Sequence, residues 1–220
     1  MTTAFILSYC AVLLVYLVVE RQESHRNRAV NKILLASMFL IYGAVAIFRA
    51  PFSWYGAWFL VALFFCYLGD VFLLWSFNRG GAMFIIGNLL FFGYELTAAL
   101  QAGLHVSQFW WALFFFLIPF CGITYFFTRP SMKKDGKVQM GLLMYMITIT
   151  LHGSMGLVLL IFFHGTPLGL LGLGSFLFEI SDYCLMPYEK KYKPDKKWIL
   201  NLNSLTYFVG MLLMVLSLTA

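Results

Sequence analysis

The sequence predicts an all-α fold: a polytopic transmembrane helix bundle of about eight spans. Three observations predict it. Hydrophobic residues make up 62% of the chain and charged residues only 11%, whereas a soluble domain carries about 25% charge. The mean hydropathy is +0.85. The apolar residues also gather into long runs, each near the roughly 20 residues that cross a bilayer. The same numbers exclude a water-soluble domain and a disordered chain. No run alternates polar and apolar residues as a barrel strand does. Cys10, Cys66, Cys121 and Cys184 all lie inside apolar runs. They read as small buried hydrophobes, not as a disulfide framework. The whole of 1–220 therefore reads as a single integral membrane domain.

The first span covers 4–19. No basic stretch precedes it and a charged segment comes after it, so it reads as a mature helix and not as a cleaved signal. The polar stretch 20–31 leads to the second span, 33–48, which stops at Arg49 and Pro51. The third span is 55–77 and the fourth 82–100, with a break expected at Asn78–Gly81 from its turn residues. Residues 101–108 separate the fourth span from the fifth, 109–127, which holds the single interior proline, Pro119. The basic stretch 128–137 precedes the sixth span, 138–163. A His-Gly-Thr-Pro turn at 164–167 opens the seventh, 168–186, and the lysine-rich stretch 187–197 leads to the eighth, 198–218.

Charge then sets the expected orientation, because cytoplasmic loops carry the excess of Lys and Arg. Loop one and its edge hold Arg21, Arg26, Arg28 and Lys32, and loop three holds Arg79. Loop five holds Arg129, Lys133, Lys134 and Lys137, and loop seven holds Lys190, Lys191, Lys193, Lys196 and Lys197. The even loops have Arg49 alone. An eight-span chain with odd loops cytoplasmic and both termini outside fits this split. In a bacterium the membrane would be the plasma membrane. The basic balance needs no nucleic acid partner, and the seventh loop reads as a topology signal before a lipid site.

An ionisable group inside hydrocarbon is expensive, so each is a functional candidate. The candidates are Asp70 in span three, Glu95 in span four, His152 in span six, and Glu179 and Asp182 in span seven. Asn88 in span four is neutral but polar. Asp70 and Asp182 should lie about 10 Å and 6 Å from the cytoplasmic ends of their spans at the helical rise. Asn88 and Glu95 share one face of span four. Ser175, Glu179 and Asp182 share one face of span seven, and Tyr145, Thr148 and His152 one face of span six. Such stripes face one another or a wet cavity, so a central polar pocket opening toward the inner leaflet is expected.

The chain also carries an internal echo. GDVFLL at 69–74 and SDYCLM at 181–186 lie 112 residues and four spans apart. A parallel four-plus-four repeat would leave this trace and would make Asp70 and Asp182 equivalent. Chance likeness between two Leu- and Phe-rich helices would leave it as well.

These motifs resemble the YhhN family of membrane proteins, whose characterised members are lysoplasmalogenases. The resemblance rests on Gly69 and Asp70 in LGDVFLL, on Phe84, Gly87 and Phe91 in span four, and on Gly174, Phe178, Ser181, Asp182 and Leu185 in span seven. Tyr145, Tyr207 and Lys32 fit family positions more loosely. One departure stands out: Glu95 occupies the place of a family histidine four residues after the second Phe, and His152 is not a family histidine.

The resemblance implies hydrolysis of the vinyl-ether bond of a lysophospholipid substrate, drawn from the membrane lipid. A fatty aldehyde and a glycerophospho-alcohol would result. Two carboxyls in different environments suit this chemistry, one as general acid and one steadying the cation. Asp70 and Asp182 are the expected catalytic pair. Asn88, Glu95, Tyr145, His152, Glu179, Tyr207 and Lys32 are expected to line the substrate pocket. No zinc-type cluster is visible, and no metal or cofactor is expected. Two other classes stay open: a proton-coupled small-solute transporter, and a lipid-binding protein without turnover. Broken helices at equivalent places in the two halves would favour the transporter, and Pro119 alone interrupts a span. Loss of abundance on replacing either aspartate, in place of lost turnover, would favour the lipid-binding protein.

Overall fold

The structure is a computed structural model that describes residues 2–20, 25–128, 136–187 and 197–220. Those residues form eight α-helices: α1 (Thr2–Val19), α2 (His25–Arg49), α3 (Trp54–Leu73), α4 (Phe77–Gln101), α5 (Val106–Thr128), α6 (Gly136–Phe162), α7 (Pro167–Pro187) and α8 (Lys197–Leu216). Six of them, α1, α2, α3, α4, α6 and α8, contain stretches long and apolar enough to cross a membrane. The chain is thus an all-helical, multi-pass membrane protein. Large apolar side chains such as Leu7, Leu14, Ile41, Phe48 and Ile118 stand exposed on the outside. Inside are buried Asp70, Asn88, Glu95, His152, Glu179 and Asp182. That inversion suits a lipid solvent, where backbone bonds close within each helix and polar side chains turn inward.

The helix ends carry local explanations. Ser53 and Ser76 cap α3 and α4 in extended conformation, their side chains accepting from the backbone N–H of Tyr55 and Arg79. At the end of α4, Gly103 has φ +93°. There the Leu104 N–H reaches the Ala99 carbonyl at 3.0 Å and the Gly103 N–H reaches Leu100 at 3.2 Å. This is the left-handed stop that glycine favours. Before α7, Thr166 Oγ1 accepts from the Gly169 N–H at 3.3 Å, and Pro167 takes the first helical position, where its missing donor costs nothing.

Two boundaries differ from the sequence reading. The turn between α3 and α4 falls at 74–76, not at Asn78–Gly81, which lies in the first turns of α4. Gly80 is there for space: a methyl group on it would lie 2.9 Å from the Leu73 backbone nitrogen. Helix α2 begins at His25, eight residues before the apolar run. Hydropathy marks where a helix meets lipid, not where its hydrogen bonds begin. Arg28 and Lys32 therefore stand one turn apart on the same helix.

Helix α3 packs along α4, α6 along α7, and α7 along α8, while α4 meets α6 and α2 meets both α3 and α8. Helix α1 leans on α2 and α8, and α5 on α6 and α7. Shifting by four helices maps α1–α2 onto α5–α6, α2–α3 onto α6–α7, α3–α4 onto α7–α8, and α2–α8 onto α6–α4. The α1–α8 and α5–α7 contacts are not matched to the same extent. A four-plus-four repeat would leave helix pairs of this kind, and so would the packing of consecutive antiparallel helices.

Candidate functional site

Asp70 sits in the last turn of α3 and is buried. The Lys32 ammonium on α2 lies 3.1 Å from its Oδ1. The Tyr207 hydroxyl on α8 donates to its Oδ2 at 2.7 Å. Gly69, just before it, lets the Phe84 ring of α4 close over the backbone, where a methyl group would lie 2.8 Å from the ring. The Gly-Asp motif therefore works as a unit: the glycine admits the aromatic wall and the aspartate faces the space beside it.

Asp182 on α7 is also buried, with the Tyr145 hydroxyl on α6 placed to interact with it. Its Oδ2 has no hydrogen-bond partner among the described residues. Asp70 is close enough for its charge to act on Asp182. The residue before it, Ser181, donates its hydroxyl to the Phe178 carbonyl at 2.7 Å, and its own carbonyl accepts from Asn203 of α8 at 2.7 Å. Both aspartates open onto one cavity of about 610 Å³. Lys32 and Tyr207 line it too. It lies at the end of the bundle where α1, α3 and α7 finish and α2, α4 and α8 begin. The two carboxyls have unlike partners: Asp70 makes an ion pair with Lys32 and accepts from Tyr207, whereas among the described residues no ion pair joins Asp182.

The other candidate residues lie elsewhere, which corrects the expectation of one central pocket. His152 Nε2 is 3.3 Å from Glu95 Oε1, and its Nδ1 is 3.1 Å from Asn88 Oδ1. The Ser175 hydroxyl of α7 donates to Glu95 Oε1. This second centre ties α4, α6 and α7 together, and none of Asn88, Glu95 or His152 lines the cavity. Tyr145 approaches Asp182 from outside the cavity wall. Glu179 also stays out of it, lying over Gly153 of α6 and accepting from the Tyr183 hydroxyl at 2.7 Å. Aromatic rings separate the centres. Phe178 meets Tyr207 at 5.1 Å on one side and His152 at 5.6 Å on the other, and Phe91 stacks on His152 at 5.4 Å. Thus Phe84 and Phe91 of α4 serve one centre each, and Gly87 between them admits Cys66 of α3. His152 of α6 thus stands beside Glu95 of α4.

The structure adds one wall that the sequence does not announce. Glu20, just beyond α1, is buried, and its Oε1 accepts from Ser204 Oγ at 2.6 Å and from the Tyr16 hydroxyl at 2.9 Å. Burial pushes this carboxyl up, while the two hydroxyls and the Lys32 and Arg28 charges pull it back. Glu20, Arg28 and Ser204 all line the cavity. The available signal was position: Glu20 is the first charged residue after an apolar span, at the end where the third and seventh spans carry their aspartates.

A model of the YhhN family matches residues 27–218 of the chain. No curated protein and no solved structure matches it.

Proposed function

The chain belongs to the YhhN family, and on that premise we propose that it hydrolyses the vinyl-ether bond of lysoplasmalogens. The observation that carries this reading is the pair of buried carboxyls on one cavity with unlike partners. Hydration of a vinyl ether begins with a proton added to the β-carbon, which leaves an oxocarbenium-like cation. Asp182, which no ion pair joins to a cation among the described residues, serves as the acid. Asp70, paired with Lys32, stays ionised, steadies the cation and orients the attacking water. Water adds to the cationic carbon, and the proton it loses restores Asp182. The hemiacetal then collapses as its hydroxyl proton moves to the glycerol oxygen. One water is consumed, and a fatty aldehyde and a glycerophospho-alcohol leave. Glycosidases solve a similar electrostatic problem with two carboxyls.

The basic residues support an orientation with the odd loops, and so the mouth of this cavity, on the cytoplasmic side. A lysophospholipid would then enter with its headgroup at the mouth and its chain toward the apolar interior.

The test uses detergent-purified protein with an alkenyl lysophosphoethanolamine and its saturated ether analogue. Aldehyde is followed by a coupled alcohol dehydrogenase. Aldehyde from the vinyl ether alone is the expected result. No aldehyde from well-folded protein would overturn the hydrolase reading and make proton-coupled transport in liposomes the next measurement.

A further inference from the structure

Two charged groups on the cavity wall take no part in the reaction above. Glu20 is 5% exposed. Its Oε1 holds both hydroxyl bonds, from Ser204 and Tyr16, while its buried Oε2 has no hydrogen-bond partner among the described residues. Arg28, in the first turn of α2, lines the same cavity, and its Nε is likewise out of solvent without a hydrogen-bond partner among the described residues. Among the described residues no ion pair joins Glu20 to Arg28. A buried carboxylate oxygen left unbonded is costly, and so is a desolvated guanidinium nitrogen. A ligand that brings an anion for one and N–H donors for the other would satisfy both at once.

Position agrees with chemistry. Lys32 is already held by Asp70, which among the described residues leaves Arg28 as the cation of this wall for an incoming phosphate. Arg28 lies one turn before Lys32, about 6 Å along α2. A three-carbon glycerol unit spans a similar length, and Lys32 is the residue that Asp70 holds. Guanidinium is also the side chain best shaped for a phosphodiester. Glu20 then faces the group that the phosphate carries.

Resting on the hydrolase reading for the lipid's identity, we infer that Glu20 and Arg28 form a headgroup subsite, in which Arg28 takes the phosphate and Glu20 the primary ammonium of phosphoethanolamine. The subsite selects ethanolamine over choline. A trimethylammonium group has no N–H, so it would leave Oε2 buried and unbonded, whereas a primary ammonium donates to it directly.

The experiment separates this inference from the hydrolase reading. The full chain in detergent is titrated with two saturated 1-O-alkyl lysolipids of equal chain length, one with ethanolamine and one with choline. Neither can be hydrolysed, so binding is read without turnover. Wild type should bind the ethanolamine lipid about tenfold more tightly, the worth of one charge-assisted hydrogen bond. Glu20→Gln should bring the two affinities close to parity. Glu20→Asp, which keeps the charge, should restore part of the preference and guards against a folding artefact. Arg28→Gln should weaken both lipids about equally. Parity in wild type, or an unchanged preference in folded Glu20→Gln, would overturn the subsite. If wild type shows the Glu20-dependent preference yet releases no aldehyde from vinyl ethers, the hydrolase reading falls and the headgroup subsite stands.

Discussion

The two polar centres of this bundle are built from similar groups and differ in their surroundings. Asp70 and Asp182 open onto a cavity, and their partners come from α2, α8 and α6. Glu95, His152, Asn88 and Ser175 lie on the far side of the Phe178 ring and bond one another across α4, α6 and α7. The first centre has room for a reacting molecule beside its carboxyls. The second joins side chains of three helices and does not line that cavity. On the proposed reading the first centre acts on substrate and the second clasps the fold, and the space next to an intramembrane charge is what separates the two roles.

Turnover should separate the two centres most widely. Asp70→Asn and Asp182→Asn should each lower aldehyde release by about 10²–10⁴-fold, the usual worth of a general acid or base, with the melting temperature in detergent near wild type. Equal loss of turnover from a clasp variant would erase the distinction. Next comes stability. Glu95→Ala and His152→Ala should each cost about 1–3 kcal/mol, because a buried polar partner is left unsatisfied. The readout is a lower melting temperature and folded yield, with turnover per folded molecule retained. Replacing both residues by leucine should recover part of that loss, which a catalytic role would not allow.

A smaller effect is expected on the cavity side. Tyr207→Phe removes one phenol bond to Asp70 and should lower kcat about tenfold, with little change in fold, since its ring contacts to Phe178 and Phe208 remain. The smallest effect is a pH dependence at Glu20. Its carboxyl is pushed up in the folded protein, so the folded state holds the proton more tightly than the unfolded chain. Folding is then favoured in acid, and stability is lost as pH rises from the ordinary carboxylate range through the raised value, by at most about 1.4 kcal/mol per pH unit. Melting curves of wild type against Glu20→Gln should converge or cross across that interval, and parallel curves would show that Glu20 keeps an ordinary titration.

Much of this is legible in one dimension. Asp70 and Asp182 stand out because a carboxyl in an apolar run is a local anomaly. Glu20 does not, because a charge one residue past a span is cheap at an interface. Its burial depends on Ser204, 184 positions away. Helical spacing puts Asn88 with Glu95 and Tyr145 with His152 on shared faces, but a helical face does not say which neighbour covers it. The turn before α4 is misplaced by the sequence because Gly80 and Gly81 look like turn residues, while Gly80 is there for close contact with Leu73.

The order of residues along the chain is enough to make it a bundle of eight helices and to say which polar groups must lie inside, because the cost of placing a residue in lipid is set by the run that contains it. It is not enough to divide those groups into two centres, to bring Lys32 to Asp70 and His152 to Glu95, or to add Glu20 to the cavity wall. Packing decides these. They depend on hydrogen bonds a few ångströms long between helices far apart in the chain, and on rings such as Phe178 that fill the space between them.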